Sequence, residues 1–255
     1  MDLLSLLHNN LSPAKKLESA ILQNNVALLE ASLQAGVNVD CRVQVQGGNT
    51  ALHLASRQGY RHCVAKLLEY HADPDKKNDF NITSITVAFQ QKNAKCLWLL
   101  LEKSRGWMNL DSFWLEDDIA EILWNTTNDS TDILISLLIK ATPDFSRTRS
   151  NLKQNLFYRC KDNHFTNSLK IWRTTEDMDN DSFVTSQKSG FDQNDDWQKE
   201  FVEWLNEYNK TPKSLVHYAR LVIRKSFYGK CNVCYGASQL PIPTSLKQEV
   251  MMTWD

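Results

Sequence analysis

The sequence predicts an all-α protein in which a solenoid of helix pairs is followed by a small helical domain. Two observations indicate the solenoid: apolar residues recur at steps of three and four, and one residue pattern returns after 33 or 35 positions. A third observation sets residues 211–255 apart, because a helical segment there is followed by two closely spaced prolines. A hydrophobic content of 42% is ordinary for a globular protein.

The most regular stretch of the solenoid covers residues 49–75. Thr50 is placed to start a helix and Gly59 to end it, and a second apolar helix follows. We interpret His53, three residues after Thr50, as part of a local hydrogen-bonding arrangement and not as a catalytic group. The stretch resembles an ankyrin repeat, which implies a helix–turn–helix unit that stacks on its neighbours.

Three such repeats are recognisable from their spacing. A shift of 33 residues aligns Thr50 with Thr83, and a shift of 35 aligns residues 20–40 with 55–75. The two extra residues fit the loop at 42–48, where an insertion costs little. We predict an N-terminal segment 1–14, an ankyrin-repeat array over 15–174, and clear repeats at about 17–40, 49–78 and 82–105.

The repeat pattern continues more weakly beyond these three units. Residues 116–144 contain two apolar segments, 119–124 and 133–138, on either side of a polar turn. Residues 152–174 show the same arrangement. We predict a degenerate helix pair in each range, because each added pair extends one continuous core.

The composition changes at residues 175–196, where the acidic residues are opposed only by Lys188. Low hydrophobicity and concentrated charge predict an acidic flexible insertion, with an acidic lure for a substrate as the alternative interpretation. Aromatic and aliphatic residues at helical spacing then predict a linking helix over 197–210. This helix is expected to pack the last repeat against the domain that follows.

The helix predicted after Ser214 carries an apolar stripe. Pro212 precedes Ser214, a good N-cap residue, and the stripe recurs at four- and three-residue steps on one helical face. The apolar members of this stripe are Leu215, Ala219, Val222 and Ile223. Basic residues on other faces are expected to flank it: Arg220, Arg224 and Lys225. Because an apolar stripe must be covered, we predict that it binds another protein.

A short extended motif follows, in which two prolines bracket an isoleucine. Each proline removes an amide donor and pushes the preceding residue towards extended geometry. Stiff apolar side chains of this kind lose little entropy on docking. A further helix can begin at Thr244 and run through Val250. The residues predicted to contact a partner here are Leu240, Pro241, Ile242, Pro243 and Leu246.

Together these two features make residues 211–255 resemble a SOCS box. The resemblance implies that the stripe, Leu215, Ala219, Val222 and Ile223, binds elongin C. It also implies that the proline motif with Leu246 binds cullin-5. Ala219 stands where the family usually has cysteine, so we expect elongin binding to be weakened by about 1 kcal/mol but not abolished.

With the repeat array, the resemblance extends to the ankyrin-repeat and SOCS-box family. It implies a substrate-recognition adaptor of an elongin B/C–cullin-5 RING E3 ubiquitin ligase, in which the array holds an unidentified protein target. The chain itself is expected to be a non-catalytic subunit. Trp107, beside Gly106, is expected in a finger between repeats and is the candidate for a contact with the target.

Two other classes of function stay open at this point. A non-catalytic ankyrin scaffold or a competitive inhibitor follows if Ala219 disables productive elongin binding. A cysteine-dependent enzyme needs a reactive thiol, and sequence position says nothing about thiolate character. Cys231 and Cys234 have the spacing of zinc ligands, but a structural zinc site usually needs four ligands. We therefore predict no metal and no cofactor, with both cysteines as free thiols in a loop.

The net charge and the length of the apolar segments indicate where in the cell the protein is expected. A formal net charge of −1 gives no general attraction to nucleic acid or to an anionic membrane. The apolar run near residue 1 lacks the length and the basic lead-in of a secretory signal, and 97–101 is far shorter than the ~20 residues of a membrane span. We expect the protein in the cytoplasm or the nucleus.

Overall fold

The computed structural model describes residues 11–43, 46–105, 129–142, 150–175, 190–192, 194–228 and 230–251. All regular elements in these ranges are helices, so the predicted all-α class is confirmed. Strand-like pairing is limited there to two isolated bridges, Arg42 with Thr50 and Lys77 with Thr83. The chain divides into two compact units, Met1–Ser104 and Arg105–Asp255.

None of the helices described here combines the length and the apolar character that crossing a lipid bilayer requires.

The described part of the first unit consists of helix pairs in sequence. The pairs are α1 (Pro13–Leu22) with α2 (Val26–Gln34), α3 (Ala51–Gln58) with α4 (Arg61–Glu69), and α5 (Ser84–Gln90) with α6 (Ala94–Lys103). The first helix of each pair starts at a hydroxyl N-cap, as the sequence predicts for Thr50 and Thr83. Leucines from neighbouring pairs, including Leu52, Leu67 and Leu97, are fully buried in one stacked core.

The turn inside each pair requires a left-handed residue. Gly59 ends α3 with φ of 72°, as predicted, and Asn24 and Lys92 occupy the equivalent turns with φ of 49° and 59°. A side chain in this conformation costs roughly 1 kcal/mol, a cost that glycine avoids. A Cβ added to Gly59 would also lie only 2.7 Å from the carboxamide of Asn93. Backbone geometry and packing therefore both favour glycine at this turn.

Hydrogen bonds tie each helix pair to the next. His53 contacts Thr50 Oγ1 through Nδ1 at 2.8 Å, and its Nε2 lies 3.0 Å from the carbonyl of Ile82 in the following repeat. The Thr50 amide donates to Nδ1, so Nε2 carries the proton and donates to Ile82. Asn93 Nδ2 donates to the Ser56 carbonyl at 2.8 Å, a second bond between the same pairs. The local role predicted for His53 is confirmed and extends to the neighbouring repeat.

Helices make up the regular structure of the second unit in its described residues. The helices are α7 (Asp129–Ala141), α8 (Ser150–Asp162), α9 (Thr166–Thr175), α10 (Asp196–Lys210), α11 (Leu215–Ser226), α12 (Val233–Gln239) and α13 (Thr244–Met251). The segment predicted at 133–138 lies in α7, and α8 with α9 forms the pair expected at 152–174. The other segment, 119–124, lies outside the described residues. Asp132 in α7 fixes the start of α9 by accepting the Ser168 amide at 2.8 Å.

The predicted flexible insertion is wrong at its far end. Phe191 is only 5% exposed and packs edge-on against Phe157, with ring centroids 5.6 Å apart. Asp195 is the N-cap of α10, because its carboxylate accepts the Gln198 amide. Composition indicated a solvated segment up to residue 196. The buried ring of Phe191 and the capping carboxylate of Asp195 instead give the end of this segment a defined structure. Residues 176–189 and 193 lie outside the described part of the chain.

The linking helix predicted at 197–210 is present as α10. Its aromatic residues form a ladder along one face, with centroid distances of 5.7 Å from Trp197 to Phe201, 5.5 Å to Trp204 and 5.2 Å to Tyr208. Lys170 lies 5.2 Å from the Trp204 centroid, so α9 contributes a cation to the same ladder. The Lys170 contact and the bond from Trp197 to Thr166 join α10 to α9.

Candidate functional site

The predicted apolar stripe lies on α11, which begins where the sequence indicated. Ser214 is extended, with φ of −69° and ψ of 157°, and its hydroxyl accepts the His217 amide at 3.2 Å. This bond satisfies an amide that has no partner inside the helix. The predicted N-cap is confirmed, and it fixes which residues of α11 share a face.

One face of α11 is buried against the rest of the second unit. The buried residues are His217, Arg220, Leu221 and Arg224. Arg220 and Arg224 do lie on another face than the stripe, as expected, but that face is buried, so these two residues are not its basic flanks. Their spacing with Leu221 is helical, but a search for apolar periodicity does not count arginine as an inward-facing residue.

Arg224 is the most enclosed of these side chains, at 1% exposure. Its guanidinium donates to the carbonyls of Ile139 at 3.3 Å and Thr142 at 3.0 Å, at the end of α7. It also donates to the Val250 carbonyl at 3.1 Å, near the end of α13. Burial lowers the pKa of Arg224 to about 10, so the side chain is still a cation at neutral pH.

Arg220 and His217 form a second buried contact. Arg220 Nη2 donates to His217 Nδ1 at 2.8 Å, and Nη1 lies 3.8 Å from the Glu249 carboxylate on α13. Burial, followed by the nearby charge of Arg220, lowers the pKa of His217 to about 4. His217 is therefore neutral at pH 7, which allows Nδ1 to accept the bond.

The opposite face of α11 is apolar and open. Leu215 is 84% exposed, Val222 is 68% exposed, and Ala219 between them is also exposed. Val216 and Tyr218 border this face and are exposed too, although the sequence pattern did not select them. We call Leu215, Val216, Tyr218, Ala219 and Val222 the docking face. Ala219 leaves a shallow position in the middle of this face, because its side chain is a single methyl group.

Ile223 differs from the other residues of the predicted stripe. It is half-buried and packs against a small core cluster of Phe227, Val233, Ala237 and Val250. Leu240 packs on the same cluster from the start of the proline motif. The structure thus brings Ile223 and Leu240 together inside the box, while Leu215, Ala219 and Val222 face outward.

The core cluster tolerates little change in volume. A Cβ added to Gly236 in α12 would lie 2.7 Å from the ring of Phe227, well inside contact distance. Glycine at this position lets α12 approach the aromatic ring closely. The docking face is therefore supported from behind by a tightly packed, small core.

The proline motif begins at Leu240 with the extended geometry that its sequence predicts, and the chain then bends through Pro241 and Ile242. Leu240 ends α12 with φ of −67° and ψ of 139°, and Lys247 Nζ donates to the Ser238 carbonyl at 2.7 Å. Helix α13 then starts at Thr244, as predicted. Pro241 and Pro243 are exposed, Leu246 is 46% exposed and Ile242 is half-buried. These four residues form a second apolar surface, and Leu240 anchors it.

The remaining sequence predictions concern cysteine and tryptophan. Cys234 is buried within α12, so its assignment to a loop is wrong, and Cys231 is half-buried just before that helix. In the ranges that the structure describes, no group of three metal-ligating side chains is present. Trp107 lies outside those ranges, and its contact with a target stays a prediction.

Comparison with protein families identifies both parts of the chain. A family model of ankyrin repeats, in three copies, matches residues 17–110, and a SOCS box model matches residues 211–248. A comparison with curated protein sequences gives no match. Among solved structures, the crystal structure of the human ASB11 ankyrin repeat domain is similar. It shows 17% identity and a TM-score of 0.45, and the match covers 92% of this chain and 96% of that one. This likeness is too distant to support an inference.

The two family matches describe interaction modules, since ankyrin repeats and SOCS boxes are non-catalytic. The ankyrin match covers the helix pairs of the first unit, and the SOCS box match covers the docking face and the proline motif. The chain therefore belongs to the family of proteins that combine ankyrin repeats with a SOCS box, the substrate-recognition adaptors of cullin–RING ubiquitin ligases.

Proposed function

We propose that this chain is the substrate-recognition adaptor of an elongin B/C–cullin-5 RING E3 ubiquitin ligase. The ankyrin repeats bind a target protein, and the SOCS box recruits the ligase. The chain contributes proximity, because holding the target near a charged ubiquitin-conjugating enzyme raises the effective concentration of its lysines. The adaptor works in the cytoplasm or the nucleus.

The observation that carries the proposal is the docking face of α11. It exposes Leu215 and Val222 on a helix whose other side is fixed by buried polar and apolar contacts. Contiguous exposed apolar residues on a rigid helix are typical of an interaction site. Elongin C covers Leu215, Ala219 and Val222, with Ile223 at the edge of the contact.

The proline motif is the proposed cullin-5 surface. Pro241, Pro243 and Leu246 are exposed, and Ile242 is accessible in part. The backbone around these residues is restricted by the two prolines, whose rings fix φ, and by the bond from Lys247 to Ser238. A surface that is ordered before binding loses little entropy when a partner docks. Leu240 supports this surface from the core cluster.

The test of the elongin contact is Leu215→Asp. Leu215 is the first residue of α11, next to the N-cap, so an acidic side chain there favours the helix and does not threaten folding. We expect recovery of elongin B/C with the variant to fall at least about 100-fold, because a carboxylate is costly to bury in an apolar contact. Lys230→Asp is the matched control, since Lys230 is exposed in the same box but lies outside α11.

The result that overturns the proposal is equally direct. Purified elongin B/C that fails to bind the wild-type chain, together with no recovery from cells, excludes the ligase role. Equal recovery with wild type and with Leu215→Asp excludes the docking face as the elongin contact.

The cullin contact is tested separately with Leu246→Asp. This residue lies in the first turn of α13, where a negative charge favours the helix. We expect the variant to retain elongin B/C but to lose cullin-5. Loss of both partners would mean that the substitution disrupts the box, and retention of both would exclude Leu246 from the contact.

A second candidate function is a non-catalytic ankyrin scaffold or competitive inhibitor, and the small side chain at Ala219 favours it. If the shallow position on the docking face prevents productive elongin binding, the chain binds its target without ubiquitin transfer. Reconstitution with elongin B/C, cullin-5 and its RING partner separates the two functions. The adaptor transfers ubiquitin to its target or to itself, whereas the scaffold binds the target and transfers none.

A further inference from the structure

Arg224 is a buried cation whose acceptors come from two different helices. Its guanidinium donates to Ile139 and Thr142 at the end of α7 and to Val250 near the end of α13, at 3.0–3.3 Å. The residue itself belongs to α11. One side chain thus joins three helices, and α7 lies about 70 residues before the start of the SOCS box match.

The acceptors are suited to a buried guanidinium. The last carbonyls of a helix have no partner inside the helix, and they carry the negative end of its dipole. Arg224 supplies donors and positive charge to two such ends at once. Its planar group can serve several carbonyls in fixed directions, which a lysine ammonium does less well. The contact is therefore directional, and its geometry depends on the angle between α7 and α11.

Arg224 also stands in a defined relation to the docking face. It lies nine residues after Leu215, and at 100° per residue this is half a turn around α11. Leu215 and Ala219 face outward, whereas Arg224 points at α7 and α13. Fixing Arg224 consequently fixes the direction in which the docking face points.

We propose that Arg224 is a positioning residue that orients the docking face relative to α7, so that α7 is part of the docking unit. The consequence of this role rests on the proposed function. When the docking face binds the ligase, the orientation of α11 sets where the ligase lies relative to the second unit. The box matched at 211–248 is structurally incomplete without α7. A fragment restricted to the matched residues loses all three Arg224 acceptors, because Val250 also lies beyond residue 248.

The test compares Arg224→Met, Arg224→Lys and Arg220→Met in the full chain. Arg220→Met is the matched control, because Arg220 is buried on the same helix but bonds to His217 and pairs with Glu249, neither of which belongs to α7. The measurement is amide hydrogen exchange of α7, followed by mass spectrometry of peptides covering 129–141. This measurement needs no partner protein.

We expect Arg224→Met to raise exchange in the last turn of α7 and in α13 about tenfold, through easier local opening. Arg224→Lys should restore part of the protection, because it keeps the charge but has a different donor geometry. Arg220→Met should leave α7 at the wild-type rate. Peptides from 51–103 serve as an internal reference and should not change.

The outcomes are decisive in either direction. Unchanged exchange in α7 with Arg224→Met, or an equal rise with Arg220→Met, overturns the positioning role. If Arg224→Met fails to fold, the comparison of Arg224→Lys with Arg220→Met decides in the same way. Elongin B/C binding is measured on the same variants, so a chain that binds no elongin refutes the proposed function without affecting the exchange result.

Discussion

The ankyrin repeats and the SOCS box hold their helices together in different ways. In the first unit, bonds such as His53 to Ile82 and Asn93 to Ser56 link each helix pair to the next. In the box, a core of four buried residues and one shared arginine hold α11, α12 and α13. The repeats bury most of their large apolar side chains and expose only single ones such as Leu22 and Phe80, whereas the box exposes Leu215 and Val222 on one helix face.

This difference shows where the molecule depends on a partner. A stack of repeats buries its faces against its own neighbours and is stable by itself. The box buries only one side of α11 and leaves an apolar face open. Its full stability is therefore expected only in a complex, because a partner that binds the folded state stabilises it. Four predictions examine this comparison, in order of expected effect.

The largest effect is expected from removing a core ring in each unit. Phe89→Ala should lower the free energy of unfolding of the first unit by about 3–5 kcal/mol, because the fully buried ring leaves a cavity. Phe227→Ala should act on the second unit alone. Hydrogen exchange of peptides from each unit distinguishes the two, and elongin B/C should restore protection only in the Phe227 variant. Equal rescue of both variants would contradict the comparison.

The next effect tests the bonds between repeats. His53→Ala removes a contact to Thr50 and the bond to the Ile82 carbonyl, both in a buried setting. We expect a loss of about 2–3 kcal/mol, because the Thr50 amide loses its acceptor and the Ile82 carbonyl loses the imidazole but retains the Asn78 amide. Urea unfolding of the first unit provides the measurement. His62→Ala, at an exposed position of α4, should change little, and a similar loss there would mean that the bonds of His53 are not the cause.

A smaller effect concerns pH and the second unit. The pKa of His217 is about 4 in the folded protein, below the 6.5 of a free histidine, so the unfolded chain binds the proton more tightly. The stabilisation that comes from neutral His217 is therefore present above pH 6.5, and the free energy of unfolding decreases as the pH falls towards 4.

We expect the second unit to lose about 1–2 kcal/mol between pH 7 and pH 5, and His217→Gln to reduce this loss. Tryptophan fluorescence during urea unfolding is a suitable measurement, because every tryptophan except Trp98 follows residue 105. The same loss in wild type and variant would assign the pH dependence to another group.

The smallest effect concerns the docking face itself. Ala219→Cys should fill the shallow position between Leu215 and Val222 and tighten elongin B/C binding by about 1 kcal/mol, or about fivefold. Titration calorimetry on the purified complex measures this. Ser245→Cys, an exposed position of α13, controls for the added thiol. Unchanged or weaker binding with Ala219→Cys would mean that elongin does not cover this position.

Much of the fold could be predicted from the sequence because its signals are local. Thr50 and Gly59 mark the ends of one helix, and their spacing to Thr83 reveals the repeat. Ser214 likewise marks the start of α11, and two prolines dictate an extended segment. Each of these residues acts on its own backbone, so no knowledge of distant contacts is needed.

The site could be predicted only in part, because periodicity finds the faces of a helix but not their surroundings. Leu215 and Ile223 share a stripe by spacing, yet one is exposed and the other reaches the core cluster. Arg224 was expected to flank the stripe from another face, and its spacing alone does not indicate burial. Its burial depends on carbonyls of Ile139 and Thr142, more than 80 residues away. Phe191 was missed for the same reason, since its partner Phe157 is distant in sequence.

The length of α10, the helix that carries the aromatic ladder, sets the distance and the direction at which the chain continues into α11. The helix has 15 residues, a length of about 22 Å. Deleting one residue would shorten this span by about 1.5 Å and turn everything after Lys210 by about 100°. Insertions of about seven or eleven residues, close to two or three whole turns, would keep the docking face at nearly the same azimuth. Changes in the length of α10 therefore keep the direction of the docking face only when they add or remove whole helical turns.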